Sequence, residues 1–179
     1  MKVRFALCRI KREVIETTAK KTVKTNAMRI LDKAGTEYKV YEYETDGVHV
    51  DGITVANTLG ENPAEVFKTL VTKAKSGVYC VFVIPVAEEL DLKKAAKAAG
   101  EKAVEMIAVK EINAVTGYIR GGCSPIGMKK QYLTVVDSSA CGLEKIIVSG
   151  GKIGTQIELS PTDLIKAASA RCADIARHD

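Results

Sequence analysis

One lysine interrupts an otherwise apolar run, and its type and position could serve chemistry. Lys68 lies within residues 66–71, which read VFKTLV. In a β-strand, alternation would place Lys68 and Leu70 on one face and the remaining side chains on the other. A lone ammonium on one face of the strand could belong to a functional site. It could equally be an edge-strand lysine whose charged end reaches solvent, and the run by itself leaves both interpretations open.

Two glycine-rich segments could present backbone N–H groups to a carbonyl oxygen or a phosphate. Residues 121–127 read GGCSPIG, and residues 149–152 read SGGK. Glycine leaves the amides unobstructed, and such amides can polarise a carbonyl group. Glycine pairs also mark ordinary tight turns. The sequence therefore offers backbone donors as a catalytic device, with plain turns as the alternative.

The usual catalytic side chains are scarce in this sequence. Its two histidines are His49 and His178, and His178 is the penultimate residue, so we predict no Ser-His-Asp triad. No carboxylate stands near His49 at motif spacing, and we interpret His49 as a loop residue. Cys123 has no histidine at a recognisable spacing, and we predict a buried thiol rather than a nucleophile. Because no HExxH or paired Cys/His pattern occurs, we predict neither a metal nor a cofactor.

Size and composition predict one globular domain in the cytoplasm. The chain has 179 residues, of which 46% are hydrophobic and 27% charged, enough for a core without disulfides or metals. Its net charge of +5 favours a polyanionic partner, whereas the absence of tryptophan argues against an aromatic platform for single-stranded nucleic acid. Five cysteines without a CxxC pair indicate no disulfide framework and suit a reducing compartment. No apolar run is long enough for export or for a membrane span.

Hydrophobic periodicity and turn residues predict a mixture of strands and short helices. We expect strands at 38–43, 67–73, 79–86, 104–107, 133–136, 145–149 and 155–159, and helices at 26–34, 54–59, from 63, 92–99, 109–115 and from 161 to about 175. Hairpin-type links without a βαβ series disfavour a doubly wound sheet. The predicted fold is α/β, a small mixed, largely antiparallel β-barrel, closed or nearly closed, flanked by helices. Residues 1–22 form a peripheral N-terminal extension and residues 23–177 the domain.

Five short motifs occur in a fixed order and at specific spacing. They are FKTL at 67–70, LKKAA at 92–96, TGY at 116–118, GGCSPIG at 121–127 and SGG at 149–151. In this order the chain resembles, from about Thr25 to Ile175, a YbaK-type aminoacyl-tRNA deacylase, related to the editing insertion of bacterial prolyl-tRNA synthetases. The resemblance implies a small mixed barrel flanked by helices. It also implies hydrolysis of tRNA charged with the wrong small amino acid, with Cys-tRNA(Pro) as the expected substrate.

The resemblance also implies roles for particular residues. It gives Lys68 and Gly121 as catalytic residues, and as substrate contacts it gives Tyr43, Thr69, Gly122, Ser149, Gly151 and Gln156. Gly121 and neighbouring amides would polarise the ester carbonyl, and Lys68 would hold the terminal phosphate or ribose. The attacking group would come from the substrate, as its thiol or the ribose hydroxyl. Gln156 stands where relatives often have an acidic residue, which leaves that contact open.

The implied partner is the acceptor end of a mischarged tRNA, with a prolyl-tRNA synthetase as a second partner that would supply tRNA specificity. Three alternatives remain beside this interpretation. The same fold could act on another amino acid such as alanine, the chain could be a non-catalytic nucleotide- or tRNA-binding module, or it could be a small regulatory domain that sits on a synthetase.

Overall fold

The structure is a computed structural model that describes residues 13–15, 23–43 and 52–177. His49, His178 and most of the predicted N-terminal extension lie outside these ranges. The described part of that extension, β1 (Glu13–Ile15), pairs antiparallel with β2 (Lys39–Glu42) and so adds a strand to a sheet of the domain. The predicted boundary between residues 22 and 23 stays a prediction.

Five α-helices lie within the described residues, and each presents an apolar face to the core. They are α1 (Asn26–Ala34), α2 (Gly52–Leu59), α3 (Leu92–Ala99), α4 (Val109–Thr116) and α5 (Pro161–Ala167). The side chain of Thr25 caps the start of α1, and that of Asp91 accepts from two amides at the start of α3. The helix predicted from residue 63 is a 3-10 turn, Pro63–Glu65. Another 3-10 helix spans Ser138–Gly142.

The last helix is shorter than predicted. It ends at Ala167, and Ser169 takes a left-handed backbone conformation with φ of 48°. The chain then forms β10 (Arg171–Ala173), which pairs parallel with β7 (Leu133–Asp137). Tertiary pairing to a distant strand therefore overrides the helical pattern that the sequence shows up to residue 175.

The remaining strands complete the sheets. They are β3 (Phe67–Ala74), β4 (Tyr79–Pro85), β5 (Glu89–Leu90), β6 (Val104–Met106), β8 (Ile146–Ser149), β9 (Thr155–Leu159) and β11 (Ala176–Arg177). One sheet has the order β1-β2-β9-β8 and is antiparallel throughout, and a second has the order β10-β7-β4-β3-β6. In the second sheet β7 pairs parallel with both β4 and β10, whereas β3 is antiparallel to its neighbours. A short pair, β11-β5, stands apart.

Of the predicted barrel, which was closed or nearly closed, the closed form is not found among the described residues. Among the described residues the two larger sheets meet at an isolated parallel bridge between Val66 and Ile147, and no hydrogen-bonded ring of strands closes. The physical reason is that β6 and β10, the outer strands of the five-stranded sheet, do not pair with the four-stranded sheet within this part of the chain. The fold is mixed α/β, with two sheets that touch along one seam.

Apolar side chains fill the space between these sheets and the helices. α1 and α5 contribute Leu31 and Leu164, both fully buried, to a cluster that includes Ile157 of the four-stranded sheet. α3 packs Ala95 on the other cluster, formed around Phe82 of β4. Burial of these faces holds the sheets in place on either side of the Val66–Ile147 seam.

A buried carboxylate links the strands near this seam. Glu158 of β9 accepts a hydrogen bond from the Tyr41 hydroxyl at 2.7 Å and forms ion pairs with Lys145 at 3.0 Å and Lys39 at 3.1 Å. Burial opposes ionisation of Glu158, but these three partners hold its pKa below the ordinary value. Lys145 also contacts Glu61 at 3.4 Å, which ties the segment that precedes β3 to the four-stranded sheet.

The cysteines depart in one respect from the sequence expectation. Cys141 and Cys172 are joined as a disulfide pair, although we predicted no disulfide framework. Cys80 and Cys123 are free and buried, as predicted for Cys123. None of the helices in the described ranges is long and apolar enough to cross a membrane.

Candidate functional site

A cavity of about 490 Å³ opens beside the first half of β3. Its walls come from β3, the start of α2, the turn between β6 and α4, the loop after α4, and the facing strands β8 and β9. Six of the eight predicted site residues line it, namely Tyr43, Lys68, Thr69, Gly121, Ser149 and Gln156. Gly122 and Gly151 are not among the lining residues, and their roles as substrate contacts stay predictions.

Lys68 is held inside this cavity rather than extended into solvent. Its ammonium donates a hydrogen bond to the carbonyl oxygen of Val86 at 3.1 Å, and the residue is half-buried. Burial lowers the pKa of Lys68, and the nearby Glu89 and Glu88 carboxylates oppose that shift in part. An ammonium carries three donors. The bond to Val86 therefore fixes its position and leaves two protons for a ligand.

Two buried polar atoms in the cavity wall lack a partner. Neither the Thr69 hydroxyl oxygen nor the Gln156 side-chain oxygen has a hydrogen bond within the described part of the chain. Leaving such a group unsatisfied costs about 1–3 kcal/mol. Both residues line the cavity, so a ligand with suitably placed donors would recover this free energy. Gln156 lies opposite Ser149 on the neighbouring strand, which brings two predicted contacts together.

The first glycine loop contains both a turn and a free amide. Gly122 donates its N–H to the carbonyl oxygen of Ile119 at 3.0 Å, so that amide closes a turn. Gly121 is exposed, has a φ of +82°, and makes no backbone or side-chain hydrogen bond with the described residues. The tight-turn interpretation thus applies to Gly122, whereas Gly121 lines the cavity and its amide has no partner in the described chain.

Gly122 lets the two glycine loops approach each other. A Cβ atom at this position would lie 2.9 Å from the backbone nitrogen of Ile153 and 3.0 Å from the carbonyl carbon of Lys152. Real Cβ atoms do not come so close to backbone atoms, so only glycine fits without movement. Gly122 therefore positions Gly121 by packing against the second loop.

Tyr118 packs between the same two loops. Its hydroxyl donates to the carbonyl oxygen of Ile126 at 2.7 Å, and its ring lies where a Cβ on Gly151 would come within 2.9 Å of it. The N–H of Gly151 donates to the Ser149 hydroxyl at 3.4 Å. Gly151 thus supports Ser149 from behind the cavity wall. From the sequence, Tyr118 stands out only as part of a motif.

Two other predicted residues are placed by burial. Cys123 lines the cavity, and its burial raises the pKa of the thiol to about 11, so it is not ionised near neutral pH. Tyr43 donates its N–H to the carbonyl oxygen of Gly154 at 2.9 Å, and burial raises the pKa of its phenol. Neither side chain is suited to act as a base at neutral pH.

The cavity also contains residues that sequence reasoning missed. Arg120 is exposed and lines it, directly before the glycine loop. A basic residue adjacent to the GG pair was the signal that could have identified it. Ile53, Met106 and Val109 line it as well, and no local pattern distinguishes them from core residues. None of the described lining residues is a carboxylate or a histidine, and the described chain holds no group of three acidic, cysteine or histidine side chains arranged for a metal.

Comparison with known proteins gives concordant results. The model of the aminoacyl-tRNA editing domain matches residues 51–167. A candidate Cys-tRNA(Pro)/Cys-tRNA(Cys) deacylase of Enterococcus faecalis is 48% identical over 152 residues, which cover 85% of this chain and 93% of that protein. Among solved structures, a candidate trans-editing enzyme for prolyl-tRNA synthetase superposes with a TM-score of 0.74 at 22% identity, over 88% of this chain and all of the other. The hypothetical protein APE2540 gives 0.77 at 24% identity, over 86% of this chain and all of the other. At these identities the two structures show a shared fold.

Proposed function

Because the chain belongs to the aminoacyl-tRNA editing domain family, we propose that it hydrolyses the ester of mischarged aminoacyl-tRNA in the cavity around Lys68. The observation that carries this proposal is the set of unused polar groups in one cavity. A half-buried ammonium, an unengaged Gly121 amide and two unpartnered buried oxygens all border the same space. A chain without a ligand there would leave these groups unsatisfied.

We propose cysteine attached to proline tRNA as the preferred substrate. The name of the Enterococcus faecalis relative supports cysteine, and identity of 48% over most of both chains makes a shared substrate class reasonable. A cavity alone distinguishes amino acids that differ by one methylene by only about 1–3 kcal/mol. A substrate that supplies its own nucleophile would be selected more sharply than fit allows.

The proposed reaction uses positioning rather than a protein base. The Gly121 N–H polarises the ester carbonyl, and the Lys68 ammonium holds the terminal phosphate or ribose of the acceptor end. The thiol of the cysteinyl group attacks its own carbonyl carbon, the bond from that carbon to the ribose oxygen breaks, and the ribose oxygen takes the thiol proton. The resulting cyclic thioester is then hydrolysed by water. For substrates without a thiol, the neighbouring ribose hydroxyl would activate water instead.

The unpartnered oxygens suit the free amino group of the substrate. An α-ammonium group has three donors and no acceptor, and it would satisfy the Gln156 side-chain oxygen without requiring a negative charge. Thr69 can donate to or accept from the same substrate. We therefore interpret Gln156, where relatives often have an acid, as a neutral acceptor for the amino acid moiety.

Two wider proposals follow from the family. The cytoplasm is the location where mischarged tRNA is met, and we propose it for this chain. A prolyl-tRNA synthetase is the proposed partner that would deliver the correct tRNA, because a cavity of about 490 Å³ is far smaller than a tRNA and would take only its acceptor end.

The test is deacylation of cysteinyl- and alanyl-tRNA(Pro) by the wild-type protein, Lys68→Ala and the matched control Lys73→Ala. Lys73 lies on the same strand but does not line the cavity. We expect rapid loss of the cysteinyl ester, a reduction of roughly 100-fold for Lys68→Ala, and little change for Lys73→Ala. Preferential hydrolysis of the alanyl ester would support the deacylase activity but would show that alanine, not cysteine, is the preferred amino acid. Hydrolysis of neither ester would refute the proposal and favour a binding module.

A further inference from the structure

Three large apolar side chains surround the mouth of the cavity while remaining open to solvent. Ile53, Met106 and Val109 are 41%, 48% and 53% exposed, and all three line the cavity. The exposed large hydrophobic residues of the described chain also include Ile119, which precedes Arg120. Scattered apolar residues on a surface are ordinary, but a group at the entrance of a cavity indicates a contact surface. We refer to Ile53, Met106 and Val109 as the apolar rim.

The charges beside the apolar rim restrict what can cover it. Arg120 is exposed at the same mouth, and the Lys68 ammonium lies farther in. No carboxylate is among the described lining residues, although Glu88 and Glu89 lie near enough to Lys68 to influence its pKa. A ligand that fits must therefore combine a flat or apolar part at the rim with a negative charge within reach of the two cations.

We propose that the apolar rim holds the 3′-terminal adenine of the tRNA, with the adjoining phosphate near Arg120 and the terminal ribose at the Lys68 ammonium. This inference rests on the proposed function, since the ester would then lie at Gly121. The base and the ester are attached to the same ribose. If the ester lies inside the cavity, the base therefore lies close by, at the cavity mouth. The rim offers aliphatic contact to the face of the base, and the rest of the acceptor end stays in solvent.

A protein surface is the competing occupant of the rim. A synthetase or a second copy of the chain would also cover exposed aliphatic residues. The position of the rim at the cavity, beside two cations, favours the nucleotide. The two occupants differ in one measurable respect, because only the nucleotide makes the contribution of the rim depend on the terminal base.

The experiment measures binding of two non-hydrolysable probes to the full chain. Both are proline-tRNA acceptor minihelices with cysteine attached to the 3′ end through an amide bond. One probe carries the terminal adenine, and the other has an abasic terminal ribose. The variants are Met106→Ser and Val109→Ser, with Val78→Ser as the control because Val78 is 49% exposed and does not line the cavity.

With the adenine probe we expect each rim variant to raise Kd about three- to tenfold, and Val78→Ser to leave it unchanged. With the abasic probe all four proteins should bind alike, and the wild-type protein should bind more weakly than it binds the adenine probe. Equal losses with both probes, or no loss with either, would overturn the proposal. A rim effect seen only in self-association or in binding to prolyl-tRNA synthetase would assign the rim to a protein partner and would also overturn it.

Deacylation by the wild-type protein, measured in parallel, separates this inference from the proposed function. Hydrolysis of cysteinyl-tRNA(Pro) together with binding that ignores the terminal base would refute the rim proposal alone. Absence of hydrolysis would refute the proposed function, and the rim proposal with it. Thermal unfolding of each variant checks that the fold is retained.

Discussion

Replacement of Gly122 by alanine should disturb the site through packing alone. The added methyl carbon would lie 2.9 Å from the nitrogen of Ile153 and 3.0 Å from the carbonyl carbon of Lys152, both backbone atoms that cannot rotate away. Gly122 has no left-handed φ, so the substitution adds a steric conflict and no conformational strain. Overpacking of this kind costs about 1–3 kcal/mol. Relief requires the loops to separate, which would move Gly121 from its place.

The matched control is Gly142→Ala, because a Cβ there meets nothing within 4 Å and Gly142 also lacks a left-handed φ. At such a position alanine stabilises by about 0.4–1 kcal/mol through the unfolded chain. Urea unfolding gives both free energies, and deacylation assays give kcat for each variant. We expect Gly122→Ala to lower stability by about 1–3 kcal/mol and to lower kcat. Gly142→Ala should raise stability by about 0.4–1 kcal/mol and leave kcat unchanged. Equal stability of the Gly122 and Gly142 variants would refute the loop-packing argument.

Three further predictions test the unpartnered hydroxyl, the cavity lysine and the buried carboxylate. Thr69→Val removes a buried oxygen that has no partner in the described chain, so it should raise the free energy of unfolding by about 1 kcal/mol and slow deacylation. The control Thr72→Val removes a hydrogen-bonded hydroxyl of the same strand and should lower the free energy of unfolding instead. Burial lowers the pKa of Lys68, so its ammonium loses a proton below the ordinary value of 10.5. The kcat/KM of the enzyme, corrected for spontaneous hydrolysis, should therefore fall as pH rises through that lowered pKa. A kcat/KM that stays constant up to pH 10.5 would contradict this prediction. Tyr41→Phe removes a hydrogen bond to the Glu158 carboxylate and should cost about 1.5–3 kcal/mol at neutral pH. The pKa of Glu158 in the folded protein lies below 4.5, so the stabilisation from its ionised form is fully present above pH 4.5 and is lost as pH falls through the lower folded value. Urea unfolding between pH 7 and 3 should show that the free energies of unfolding of Tyr41→Phe and of the wild type become more alike.

The local elements follow closely from the sequence. The side chains of Thr25 and Asp91 cap the starts of α1 and α3, and the hairpin at residues 75–77 joins β3 and β4. These signals involve residues a few positions apart, so they act before any distant contact forms. The predicted end of the last helix is wrong, and the closed form of the barrel is not found among the described residues, for the opposite reason. Pairing of Arg171–Ala173 with β7 and the limited contact at Val66 depend on partners far along the chain.

Family membership, predicted from motif order, is confirmed by the domain match and by the Enterococcus faecalis relative. The placement of individual site residues is a separate matter. Motif order names Gly121 and Gly122 alike, and the structure distinguishes them by a hydrogen bond and a close approach of backbone atoms. Arg120 and the apolar rim have no motif, and their position became evident only from the cavity that they border.

The sequence by itself determined most of the helices and strands, the family and the residue types available for chemistry, because those depend on local spacing and on ordered motifs. Only the tertiary structure decided how they function together. It buries Lys68 against the Val86 carbonyl, brings Thr69 and Gln156 to one cavity, and packs Gly122 on the second glycine loop. Each of these relations joins residues from separate segments, and the free energy of burying a core, not any local pattern, sets the distance between them.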